Sequence, residues 1–164
     1  GSFKNIDNIG LRWMWPGYGV SIKKLHPKKM DAVTSTCYIM KKSTWKEIGW
    51  FDETLGSSHE DVDMGLRLRK AGYTIHQVDS AKAIHLGNAT LRHTIPDPRR
   101  TFQSARLRVI SKHYRGIDRL IRTWLVKLIY SVSRAFLGSG NKPSSSGNTV
   151  GSETARSMAT ELRR

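Results

Sequence analysis

The sequence predicts an α/β fold, a part-formed, short mixed sheet flanked by helices and followed by a basic helical segment. Three observations carry that expectation. Residues 32–40 form a β-branched and apolar run that reads as a strand. Start and stop signals for a helix bracket 61–72. Apolar residues then recur at steps of three and four, through Leu107, Ile110, Tyr114, Ile117, Ile121, Trp124, Leu128, Val132 and Phe136. With 164 residues, 38% hydrophobic and 25% charged, the chain supports one globular domain and not two full ones.

Taken in order, residues 1–30 mix turn-formers with aromatics (Trp13, Trp15, Pro16, Gly17) and are expected to be an irregular segment with room for one short strand. Residues 31–98 form the expected main unit. After the strand at 32–40, Ser43 suits an N-cap for a short helix through Ile48, which Gly49 ends. A loop then leads to Asp61, placed to cap the next helix. Acids come first in that helix, Arg67, Arg69 and Lys70 come last, and Gly72 stops it, in accord with the helix dipole. Short strands are expected near 73–78 and 82–86. The turn Ile95-Pro96-Asp97-Pro98 opens a basic amphipathic region, 99–137, which Gly116-Ile117-Asp118 should break into two helices. Beyond Leu137 the Gly, Ser, Asn and Thr content predicts a disordered tail over 138–164.

The net charge of +15 favours a polyanionic partner, whether nucleic acid, an anionic membrane face or a diphosphate-bearing substrate. Ten Lys or Arg against the single acid Asp118 give 99–134 a local balance of +9. An apolar stripe with that charge fits an interfacial helix on anionic lipid; the rival is a stripe packed on its own sheet. Cys37, the lone cysteine, excludes an internal disulfide and is expected to be a small buried residue. No run approaches the ~18 apolar residues of a membrane span, and the start has no apolar signal-peptide core. The expected setting is therefore cytoplasmic and reducing, peripheral to the inner membrane face if lipid is the partner. The histidines show no H-E-x-x-H spacing, and 61–65 fails the calcium-loop pattern at its glycine.

Acid placement carries more information than acid number. Glu47, Asp52, Glu53, Glu60, Asp61 and Asp63 fall within seventeen residues, nearly half of the chain's 13 acids. Crowded carboxylates repel, so they gather where they bind a cation, a hydroxyl or a base. At a helix N-terminus Asp61 is expected to stay ionised at neutral pH and could take a proton from an approaching hydroxyl. Ordinary capping is the plainer role for the same residue. Asp63 is expected to pair with Arg67 four residues on.

Four linked elements then stand in order: Gly49-Trp50-Phe51-Asp52-Glu53, Glu60-Asp61-Val62-Asp63, Leu66-Arg67-Leu68-Arg69-Lys70-Ala71-Gly72-Tyr73 and Ile84-His85-Leu86-Gly87. In that order and spacing the chain resembles the C-terminal, acceptor-side half of family 2 (GT-A type) glycosyltransferases of the rhamnosyltransferase-like kind, over roughly residues 30–137. The resemblance implies a partial GT-A fold and transfer of a sugar, with inversion, from a nucleotide-sugar to a glycan or lipid-linked acceptor. It implies Asp61 as general base, Glu60 and Trp50 at the acceptor, Thr36 at the donor, and His85 as a ligand to Mg²⁺ or Mn²⁺ on the donor diphosphate. Asp52 and Glu53 would organise the acceptor loop, and no nucleic acid would be bound. The sequence departs from the family in two places. Thr34-Ser35-Thr36 stands where a glycine is usual, and the nucleotide-binding half with its principal metal ligands has no counterpart here. The expectation is therefore a fragment that is inactive alone. The alternative is a non-catalytic basic domain binding nucleic acid or an anionic membrane.

Overall fold

The computed structural model describes residues 8–24, 29–56, 58–83, 85 and 97–137. Among them the fold is mixed α/β, with one two-stranded antiparallel sheet and four α-helices. The segment read as irregular contains the sheet. Strands β1 (Gly10–Met14) and β2 (Tyr18–Ile22) pair in the register Gly10↔Ile22 to Met14↔Tyr18. Trp15, Pro16 and Gly17 make the connection, a three-residue hairpin loop.

The run at 32–40 does not become a strand. Only Ala32 bridges to β1, through Leu11, whose N–H donates to the Ala32 carbonyl at 2.7 Å. The chain then turns at Ser35 and Thr36. β-Branched residues favour a pleated surface only where a partner strand and a covering layer exist, and Thr36 and Ile39 are exposed with no strand beside them among the described residues. Ile39 is 93% exposed, and Cys37 is exposed rather than buried. Residues 73–78 also lie outside any ladder. The expected strand at 82–86 and the tail at 138–164 fall wholly or partly outside the described residues.

Helix α1 (Lys42–Ile48) starts after Lys41, two residues earlier than a Ser43 cap allows, and ends at Gly49 as expected. A 3₁₀ turn, Glu53–Leu55, is capped by the Asp52 side chain. Helix α2 (Glu60–Lys70) begins one residue before the expected Asp61 cap. Its N-cap position is His59, held in the left-handed region at φ 63°. The chain leaves α2 through Gly72. Helix α3 (Pro98–His113) has Asp97 as N-cap, accepting from the Arg100 N–H at 3.0 Å, with Pro98 in the first turn. Helix α4 (Gly116–Leu137) follows after a break at Tyr114 and Arg115.

The core lies where the hairpin, the 3₁₀ turn, α2 and α3 meet. Leu55, Val62 and Val109 are buried together, with Leu11, Trp13 and Leu66 packed on them. Gly65 lets α2 approach the Asp31-Ala32 backbone. A methyl group there would run into the Ala32 side chain and lie 2.5 Å from the Asp31 carbonyl oxygen. On α3 the buried face is Gln103, Ala105, Val109 and Ile110. Helix α4 rests on α3 through Val126, whose carbonyl accepts from Gln103 Nε2 at 3.2 Å. The apolar stripe foreseen along 117–136 forms, but it faces outward.

Candidate functional site

The first turn of α2 carries the candidate centre. Glu60 and Asp61 are both half-buried there. The Ser35 hydroxyl donates to Glu60 Oε1 at 2.7 Å, so the turn at 35–36 is fastened to the helix start. The Asp61 Oδ1 accepts from the Val62 N–H at 2.7 Å. Burial, and next the neighbouring Glu60 charge, push the Asp61 carboxyl up to about 6, while N–H groups of Val62, Asp61 and Ser35 pull the other way. Desolvation therefore outweighs the helix end, though a carboxyl at about 6 is still mostly ionised at neutral pH. A carboxylate tuned to that range is a better proton acceptor than one at its usual value.

Sequence reasoning missed Tyr38. Burial raises its phenol pKa, and Glu60 and Asp61 add to the effect, so the ring lies within their field. Its centroid is 6.1 Å from that of Trp45, and Trp45 stacks on Trp50 at 5.0 Å. Phe51 closes the group at 5.2 Å from Trp45 and 6.5 Å from Tyr38. Trp50 is 65% exposed, so an aromatic face stands open at one end of a ring cluster whose other end reaches the two acids. Aromatics dispersed over Tyr38, Trp45, Trp50 and Phe51 give no periodic signal, and no local pattern could have joined them.

Arg67 holds the Trp50 loop in place. Its guanidinium donates to the carbonyls of Ile48, Gly49 and Trp50 at 2.8, 2.9 and 2.9 Å, and its Nε meets Asp63 at 2.9 Å. The expected Asp63–Arg67 pair is thus present, and Asp63 is fully buried. Two further partners come from α3: Lys112 Nζ at 3.0 Å and His113 Nε2 at 2.7 Å. Burial alone would raise the Asp63 carboxyl, but hydrogen bonds from His113 and Lys112 and the charges of Arg67 and Lys112 outweigh it and hold it low. Lys112 also reaches Asp52 at 2.7 Å, and with Thr54 it lowers that carboxyl to about 2. Asp52 does organise the loop, since it accepts from both the N–H and the hydroxyl of Thr54.

Behind α2, the buried Asp31 collects Arg12 at 3.1 Å, Arg69 and Lys29, and accepts from the Trp13 N–H at 2.9 Å. The two arginines of Leu66-Arg67-Leu68-Arg69 therefore fasten opposite flanks of the helix, one to the Trp50 loop and one to the hairpin. His59 is kept neutral near pH 7: burial, helped by Arg106, lowers its ring to about 4.

Thr36 is exposed in the turn beside Ser35, and His85 is exposed. The Asp61 carboxyl is set by burial, then by Glu60 and the N–H groups of Val62, Asp61 and Ser35. Among the described residues no three His, Cys, Asp or Glu side chains are placed to hold a metal ion. Those residues do not build a metal centre on their own.

No protein-family model matches the chain, and no solved structure matches it. Two curated proteins do, the N-acetylglucosaminyl-diphospho-decaprenol L-rhamnosyltransferases of two strains of Mycobacterium tuberculosis, each 38% identical over 65 residues. Those residues are 38% of this chain, and they span only 21% of the length of the relatives. The similarity supports a glycosyltransferase-like relationship.

Proposed function

We propose that this chain supplies the acceptor side of an inverting glycosyltransferase of the family 2 type, with Asp61 as general base. The observation that carries the proposal is the half-buried Asp61 carboxyl, raised to about 6 beside Glu60 at the start of α2. The acceptor is a glycan or a lipid-linked sugar, and the donor is a nucleotide-sugar. The acceptor oxygen attacks the anomeric carbon and its proton passes to Asp61. The bond from that carbon to the nucleotide diphosphate breaks, and the leaving group departs with the electron pair. An alcohol is a poor nucleophile near neutral pH, so a positioned base contributes roughly 10²–10⁴-fold.

Glu60, already fastened by Ser35, orients the acceptor, and Trp50 offers its open face to a sugar ring. Thr36 stands on the donor side. His85 enters as a single ligand to Mg²⁺ or Mn²⁺ on the donor diphosphate, a metal whose charge would offset that of the leaving group.

Asp61→Asn tests the assignment in the protein that carries this sequence, assayed with labelled nucleotide-sugars and unchanged far-UV circular dichroism as the fold control. Transfer should fall by roughly 10²–10⁴-fold. Undiminished transfer in the variant removes the base assignment. Tight, steeply salt-dependent DNA or RNA binding, with no response to nucleotide-sugar, identifies a basic binding domain instead.

A further inference from the structure

Helix α4 presents an apolar face that nothing among the described residues covers. Ile117, Leu120, Ile121, Trp124, Leu128, Ile129, Val132 and Phe136 are 44% to 79% exposed. At 1.5 Å per residue this stripe runs roughly 29 Å along one side of the helix. The opposite side is the one in use, since Val126 is fully buried against α3. Arg122 fixes the helix further, with its guanidinium 4.0 Å above the Tyr114 ring and a hydrogen bond of 3.2 Å to the Pro16 carbonyl. Rotation of α4 to bury its stripe would break these contacts. Soluble monomers rarely leave so long a continuous apolar strip in water.

Charge identifies what covers it. Helical spacing sets Lys127 and Arg134 along one border of the stripe, and both are exposed. Arg99 on α3 lines the same cleft as Arg134. The chain as a whole carries +15, which opposes pairing of two copies through this face. No helix among the described residues is long and apolar enough to cross a membrane. A straight, outward apolar stripe with a basic border and a central tryptophan matches the plane of a bilayer better than a groove.

We propose that α4 is a membrane-docking helix that lies in the interface of an anionic lipid bilayer, with Trp124 and Leu128 inserted and Lys127, Arg134 and Arg99 at the headgroups. This inference stands on α4 and the adjoining Arg99 of α3, and does not rest on the transferase reading.

Vesicle co-sedimentation of the full chain tests it, comparing phosphatidylcholine vesicles with vesicles about one third phosphatidylglycerol. Binding to the anionic vesicles should be at least roughly tenfold tighter, and should weaken as ionic strength rises from about 0.1 M to about 0.5 M. Ile121→Asp combined with Leu128→Asp, both at exposed positions, should abolish binding with unchanged circular dichroism. Lys127→Glu with Arg134→Glu should remove the preference for anionic lipid. Lipids brominated on their acyl chains should quench tryptophan fluorescence of the unaltered chain, and Trp124→Phe should lose that quenching. This readout decides the matter even where the aspartate variant fails to fold. Absence of quenching overturns the proposal, as does undiminished binding by a folded aspartate variant. Sedimentation velocity showing a dimer that the same variant dissociates overturns it in favour of a second copy.

Discussion

Asp61 sits between opposing pulls. Burial and the Glu60 charge disfavour its ionised form, while neighbouring N–H groups favour it, and the balance leaves the carboxyl at about 6. The folded state therefore holds this proton more tightly than the unfolded chain does. Stability is undiminished at low pH, falls as pH rises from the unfolded value towards 6, and carries the full cost above that. A shift of this size costs on the order of 2–3 kcal/mol at neutral pH. Asp61→Asn should thus stabilise the fold by about that amount near pH 7, and the gain should vanish below about pH 4, as read by urea unfolding. A variant that gains stability as it loses transfer separates a functional carboxylate from an ordinary cap. Comparison of variant with parent at each pH also cancels His59, whose lowered ring works in the opposite direction. Asp63 behaves in the contrary sense. Its carboxyl is held low, so its stabilisation is present above the unfolded carboxylate range and is lost as pH falls through the folded value. Asp63→Asn leaves Arg67 and Lys112 facing a neutral group and should cost about 3–5 kcal/mol at neutral pH. The Asp63–Arg67 pair was legible because four residues is one helical turn. Lys112 and His113, 49 and 50 residues away, gave no local signal.

At the scale of elements, helices were readable and strands were not. A helix closes its own hydrogen bonds, so the acids at 60–63, the bases at 67–70 and Gly72 locate α2 within two residues. Asp97-Pro98 and the break near Gly116 placed α3 and α4 for the same reason. A strand borrows its hydrogen bonds from another segment. Residues 32–40 have the composition of a strand, but only Ala32 finds a partner, while the hairpin at 10–22 was hidden among turn-formers. The close passage of α2 over Asp31 and Ala32 depends on Gly65. Gly65→Ala should destabilise the fold by about 1–3 kcal/mol through overpacking, seen as a lower urea midpoint with an unchanged slope. Because Asp31 also receives Arg12 and Arg69, the same substitution loosens the hairpin from the helix that bears Asp61. The stripe on α4 was foreseen in its residues but not in its direction, because periodicity defines a face and leaves open what the face meets.

For the molecule as a whole, the hairpin, α2 and α3 make one core, and its outer surfaces carry the chemistry. Lys112 and His113 of α3 bind Asp63 inside α2, and Lys112 binds Asp52 under the Trp50 loop, so the basic helices and the acidic site form a single frame. The positive charge that pointed to a polyanion is partly spent on these internal carboxylates, while Lys127 and Arg134 stand exposed on α4. The proposed role of Asp61 is tested most directly by the pH dependence of kcat/KM for sugar transfer, which reports the ionisation of the free enzyme's essential base. The rate should climb with pH and level off, with a midpoint at about 6, and that midpoint should be lost in Asp61→Asn. A profile flat from about pH 5 to about pH 8, or one whose midpoint survives the substitution, would contradict it.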